Sequence, residues 1–154
     1  MTAKSSPSAH PATMRLAVPC ELSAVRAAAE SVHEFLASRG CSEREVTSCE
    51  VALVEACNNA IQYARPGERK MPVVIDASCG VEEIEIRVTD HTAGFDWPEE
   101  ASLPEFGSER GRGLFLIRKM TDSVQYLRGG QTNTLVMRKR REGRTQPRMD
   151  ADKG

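Results

Sequence analysis

One stretch constrains the fold more than any other: residues 42–64, SEREVTSCEVALVEACNNAIQYA, where a helix start, an apolar stripe and a polar pair are interleaved. Ser42 and Glu45 stand at S-x-x-E spacing, so hydroxyl and carboxylate can each satisfy a backbone N–H that the first helical turn leaves without a partner. Val46, Cys49, Leu53, Ala56 and Ala60 then recur every three or four residues, the period that gathers apolar side chains on one side of an α-helix. The spacing predicts a long central helix with that stripe against the core. Glu55 and Asn59 lie one turn apart on the far side, with Val51 a further turn back. A carboxylate and a side-chain amide so placed offer a general base and a neutral oxygen ligand for a hard cation. Taken alone, the pair reads most simply as a solvated helix face, although Asn58 and Asn59 are weaker helix formers than Lys, Glu or Gln.

Strand and helix patterns follow one another around this helix. Residues 1–12 are small, polar and Pro-containing and read as a loose tail. Residues 13–19 alternate Met14, Leu16 and Val18 with Arg15 and Ala17, a strand with one buried face that Pro19 ends. Leu22, Val25, Ala29, Val32 and Leu36 predict a first amphipathic helix stopped by Gly40, with Arg26, Glu30, His33 and Glu34 outside and Arg26 a candidate partner contact. Residues 65–70 read as a loop. Residues 71–78 and 83–90 form a hairpin about Cys79-Gly80-Val81-Glu82, and the second run ends in Asp90.

Residues 96–110 carry Pro98, Pro104, Gly107 and several acids without a period, as a mobile lid would. Gly111-Arg112-Gly113 then opens an apolar helix through Leu114, Ile117 and Met120, placing backbone N–H groups at a helix N-terminus, which suits phosphate. Residues 124–127 and 134–137 make a second hairpin about Gly129-Gly130. From Arg138 the chain is basic, then mixed, and reads as a frayed tail in which Arg138, Lys139, Arg140 and Arg141 are a secondary candidate for an acidic partner or nucleic acid.

A chain of 154 residues suits one domain with its own core. Its net charge of -1 gives no global field for nucleic acid or membrane. Five cysteines without a C-x-x-C pair read as reduced thiols, and no apolar run approaches a spanning helix, so a cytoplasmic protein is expected.

The order of the pieces narrows the chemistry: a helix with Glu55 and Asn59, a hairpin ending in Asp90, a glycine-containing turn, a loop, and G-x-G at a helix. In this order the chain resembles the GHKL ATPase superfamily, and within it the small bacterial anti-sigma-factor serine kinases of the RsbW type. Glu55-Ala56-Cys57-Asn58-Asn59-Ala60 looks like their N-box, Asp90-His91-Thr92-Ala93-Gly94-Phe95-Asp96 like the first glycine box, and Gly111-Arg112-Gly113-Leu114 like the second.

The resemblance implies a two-layer α/β Bergerat-type sandwich over residues 13–138, flanked by tails 1–12 and 139–154, with a mixed, largely antiparallel sheet covered on one face by three helices. It implies that Glu55 is the catalytic base and that Asn59 offers its oxygen to Mg²⁺ bridging ATP phosphates. Asp90 would accept from the adenine amino group, with Thr92 and Gly94 beside the base. Gly111, Gly113 and Leu114 would form the phosphate turn, with Arg110 or Arg112 as a neutralising cation. Thr92 departs from the family's D-x-G-x-G, and its hydroxyl is expected to reach the base or a water; the lid is short for the family. Implied partners are a sigma factor and a STAS-type anti-anti-sigma factor phosphorylated on serine, with a homodimer as the working assembly. Two other readings are a nucleotide-binding module that sequesters a partner without kinase activity, and a histidine-kinase catalytic domain. The latter is disfavoured because the chain has no phosphoacceptor hairpin.

Overall fold

The computed structural model describes residues 10–94 and 109–142. The elements in chain order are β1 (Ala12–Val18), α1 (Val25–Ser38), α2 (Glu43–Gln62), β2 (Val73–Cys79), β3 (Glu83–Asp90), α3 (Glu109–Met120), β4 (Ser123–Arg128) and β5 (Asn133–Arg140). The five strands make one sheet in the order β1-β2-β3-β5-β4. Every pairing among the described residues is antiparallel, so the mixed component expected of the sheet is not found there. Both sequence-predicted hairpins form, and β5 inserts beside β3 to place β4 at the edge.

The helices cover one face. The inward residues of β2, β3 and β5, among them Ile75, Ala77, Ile84, Ile86, Val88 and Met137, join the stripe Val46, Cys49, Leu53, Ala56 and Ala60 of α2 in a single core. The opposite face is polar: Arg15 meets Asp76 at 2.6 Å, Arg138 meets Glu85 at 3.0 Å, and the Thr89 and Thr134 hydroxyls meet at 2.9 Å. Exposed ion pairs of this kind contribute little, so the inward face carries the stability of the sheet.

Helix α2 is the central helix, packed against both α1 and α3. Its capping box forms as the sequence predicts: the Glu45 N–H donates to Ser42 Oγ at 3.1 Å, and the Ser42 N–H donates to Glu45 Oε1 at 2.8 Å. Helix α1 begins at Val25 rather than Leu22, because residues 22–24 form a 3₁₀ turn without a side-chain cap. It ends at Gly40, whose φ of 85° is the left-handed conformation that a glycine stop supplies. The loop expected at 65–70 is a 3₁₀ turn, Pro66–Lys70, whose first N–H at Arg65 is held by Glu68 Oε1 at 2.8 Å.

The C-terminal boundary differs from expectation. Strand β5 runs on to Arg140, and Arg141 is buried where a tail was expected from residue 139. Arg141 donates from Nη1 to Gly80 O at 2.7 Å and from Nη2 to Arg39 O at 3.3 Å, and its guanidinium lies 4.0 Å from the fully buried Glu45. The other Glu45 carboxylate oxygen accepts the Glu142 N–H. The basic run is therefore not one solvated patch: Arg138 is paired on the polar face and Arg141 is consumed inside. No helix among the described residues is long and apolar enough to cross a membrane.

Candidate functional site

Sheet register builds one end of the site. Asp90 ends β3 opposite Asn133 of β5, and Asn133 in turn pairs with Arg128 of β4, so the three lie in one row on the helix-covered face. Asp90 and Asn133 are both buried. Asp90 Oδ1 accepts three bonds: from the Thr92 N–H at 3.0 Å, the Thr92 hydroxyl at 2.9 Å and Asn133 Nδ2 at 3.1 Å. Oδ2 takes none of these bonds. The Thr92 hydroxyl also accepts the Gly94 N–H at 3.0 Å, and Asn133 Nδ2 donates to Thr92 O at 2.8 Å.

The Thr92 hydroxyl is thus engaged within the turn itself. It ties the turn to Asp90, a job that glycine cannot do. Gly94 has φ of 82°, and a Cβ there would fall 2.9 Å from Asn133 Oδ1, so neither its backbone nor its surroundings admit a side chain. Arg128 closes the turn from outside by donating to Ala93 O at 3.1 Å.

The other end of the site lies between α2 and α3. Glu55 and Asn59 are half-buried on the α3 side of α2, not on a freely solvated face. A Cβ at Gly113 would lie 2.9 Å from Glu55 Oε1 and 3.7 Å from Asn59 Oδ1, so the bare glycine leaves the Glu55 carboxylate its place beside α3. A cavity of about 480 Å³ is lined there by Glu55, Asn58, Asn59, Gln62, Arg112 and Gly113. A second, of about 310 Å³, is lined by Asn59, Tyr63, Arg65, Asp90, Thr92 and Gly94. Asn59 lines both.

Most of the sequence-predicted residues thus lie along one path, from Asp90 past Asn59 to Glu55, Arg112 and Gly113. Two differ from expectation. Leu114 is buried in the core and anchors α3 with its side chain. Helix α3 begins at Glu109, so Gly111 and Gly113 lie inside its first turns instead of opening it. The lid residues 96–108 and the side chain of Arg110 lie outside the described residues. Sequence reasoning missed Asn133, which stands just before the strand expected from residue 134 and begins β5. It comes opposite Asp90 only through the pairing of β3 with β5, which no local pattern announces.

The donor set suits a magnesium nucleotide. Asn59 is a neutral oxygen donor one turn from the Glu55 carboxylate, Arg112 supplies positive charge beside them, and Gly113 leaves the space unfilled. Among the described residues no three His, Cys, Asp or Glu side chains are grouped to hold a metal by themselves. Magnesium commonly takes one or two protein oxygens and completes its shell with phosphate and water.

Comparison with known proteins agrees with this geometry. Residues 18–139 match the family model described as histidine kinase-like ATPase domain. The anti-sigma F factor of Clostridium perfringens is 29% identical over 116 residues, covering 71% of this chain and 83% of that protein. The serine-protein kinase RsbW of Listeria innocua is 28% identical over 103 residues, covering 58% and 64%. Among solved structures, the RsbU and RsbW domains of a Mycobacterium tuberculosis protein superpose with a TM-score of 0.63 at 16% identity, over 84% of this chain and 32% of that one. A chain of the SiaB-SiaC complex from Pseudomonas aeruginosa gives 0.57 at 12% identity, over 81% and 88%. These last two likenesses are of fold.

Proposed function

This chain belongs to the histidine kinase-like ATPase domain family, and on that premise we propose that it is an anti-sigma factor and protein serine kinase that uses Mg-ATP. The observation that carries this reading is that Asn59 lines both the cavity at the Asp90 end and the cavity at the Glu55 end. Asp90 would take the adenine amino group on Oδ2, held in that orientation by Thr92 and Asn133 on Oδ1. Asn59 would give its side-chain oxygen to Mg²⁺, and Arg112 would face the phosphates. When bound, the ion would neutralise phosphate charge.

Glu55 would accept the proton of a substrate serine hydroxyl while the serine oxygen bonds to the γ-phosphorus and the bond from that phosphorus to the ADP oxygen breaks. The serine belongs, in this reading, to a STAS-type anti-anti-sigma factor. Phosphate adds about two negative charges to that partner and would repel it from the carboxylate-bearing cleft. Unphosphorylated antagonist would displace the sigma factor, and phosphorylated antagonist would let it be held again. The working assembly would be a homodimer.

The test is calorimetric titration of Mg-ATP into wild type and Asn59→Ala, followed by mass spectrometry of candidate antagonist proteins after incubation with Mg-ATP. Saturable binding weakened in the variant, with a gain of one phosphate on a serine, is expected. Binding without transfer to any antagonist would make the chain a nucleotide-dependent sequestering module, and no binding would refute the site.

A further inference from the structure

At the far end of the sheet from Asp90, two cysteines 38 residues apart in sequence come together: Cys41 Sγ and Cys79 Sγ are 3.5 Å apart. Cys41 lies in the short connection between α1 and α2, directly before the N-cap Ser42, and is half-buried; Cys79 ends β2 and is buried. Both are free thiols, as are Cys20, Cys49 and Cys57, which are buried in the core. Arg141 Nη1 reaches Cys79 Sγ at 3.5 Å, bringing a fixed positive charge to the pair.

We propose that Cys41 and Cys79 form a modification site, a dithiol that a low-molecular-weight disulfide such as glutathione disulfide converts to an intramolecular disulfide. The half-exposed Cys41 is the entry point. Its thiolate attacks one sulfur of the oxidant, a mixed disulfide forms, and one oxidant thiolate leaves. The Cys79 thiolate then attacks Cys41 Sγ; the Cys41–Cys79 bond forms, the mixed disulfide breaks and the second oxidant thiol departs. Two protein thiols are oxidised, one disulfide is reduced to two thiols, and the two protons pass to the leaving thiolates.

The sulfurs must close by about 1.5 Å to reach bonding distance, a movement within reach of the connection that carries Cys41. Burial and the neighbouring thiol push Cys41 up to about 12, with Arg141 acting in the opposite direction. The first step is therefore slow at neutral pH, and selectivity comes from proximity in the second step. Closure would pin the N-terminus of α2, the helix that carries Glu55 and Asn59, to the end of β2.

The experiment exposes the full chain to glutathione disulfide, alkylates the remaining thiols in denaturant, and maps the peptides by mass spectrometry. The expected product carries no interchain disulfide, has two fewer alkylated thiols, and links the Cys41 peptide to the Cys79 peptide. Cys79→Ser is expected to stop at a mixed disulfide on Cys41, and Cys41→Ser to remain unmodified at Cys79. A wild-type chain that keeps both thiols alkylatable, links either cysteine to a different one, or joins two chains would overturn the proposal. The wild-type map decides the matter even where a variant fails to fold.

Discussion

Gly113 on α3 and Glu55 on α2 meet where the two helices leave no room for a methyl group: a Cβ at Gly113 would sit 2.9 Å from Glu55 Oε1. The obstructing atom is the end of a flexible side chain, so an added methyl would be accommodated by moving the carboxylate, not by prising the helices apart. Gly113→Ala should therefore separate activity from stability. Alanine favours the helix over glycine by about 1 kcal/mol, so the midpoint of unfolding should hold or rise. Phosphotransfer should fall roughly 10- to 100-fold because the base is displaced. Glu55→Gln should abolish transfer while leaving Mg-ATP affinity within a few-fold of wild type. Single-turnover phosphorylation beside denaturant melts would measure both, and wild-type turnover in Gly113→Ala would show that this contact does not position Glu55.

The Thr92 hydroxyl donates to Asp90 and accepts from Gly94, so it holds the turn that would embrace the base. Thr92→Val keeps the shape and loses both bonds. At about 0.5–1.5 kcal/mol for each bond, nucleotide affinity should weaken by about tenfold. Thr92→Ser, which keeps the hydroxyl, should bind nearly as wild type. Titration calorimetry distinguishes the two, and equal affinity in the valine and serine variants would remove the hydroxyl from the account.

What the sequence disclosed and what it hid follow from the range of each interaction. The capping box, the α2 stripe and both hairpins are local patterns, complete within a few residues, and they were legible. So were Glu55, Asn59 and Asp90, which sit at marked places in those elements. The partners that give these residues their geometry are non-local: Asn133 reaches Asp90 only through the β3–β5 register, and Gly113 meets Glu55 only through helix packing. Arg141 looked like part of a solvated basic run because its carbonyl acceptors, Gly80 and Arg39, come from turns remote in sequence. Cys41 and Cys79 looked unrelated for the same reason.

Glu45 does more than cap α2. One carboxylate holds the Ser42 N–H, lies 4.0 Å from Arg141 and accepts the Glu142 N–H, all while fully buried. Removing one member of such a buried pair leaves an uncompensated charge, which costs about 3–5 kcal/mol. Arg141→Ala should therefore destabilise by about that much in urea unfolding. Mg-ATP affinity of the folded fraction should be unchanged, since the cluster lies at the other end of the sheet from Asp90. A loss below about 1 kcal/mol would show that solvent compensates Glu45.

Two buried thiols give the protein a defined weakness to alkali. Burial pushes Cys49 and Cys57 from an ordinary value of 9.0 up to about 12. In the unfolded chain these thiols ionise near pH 9; in the folded chain they hold their protons until about pH 12. Between those values the native state binds more protons than the unfolded state, so stability falls as pH rises, by at most about 1.4 kcal/mol per pH unit for each thiol. Their contribution is complete below about pH 9 and is lost as pH climbs through the folded value. Lys and Tyr titrate over the same range, so the informative quantity is the difference between wild type and Cys57→Ala. The variant should be slightly less stable at pH 7, from lost packing, and should lose stability less steeply above pH 9. Urea midpoints from pH 7 to 11 would give both curves, and parallel curves would mean that Cys57 ionises as readily in the fold as outside it.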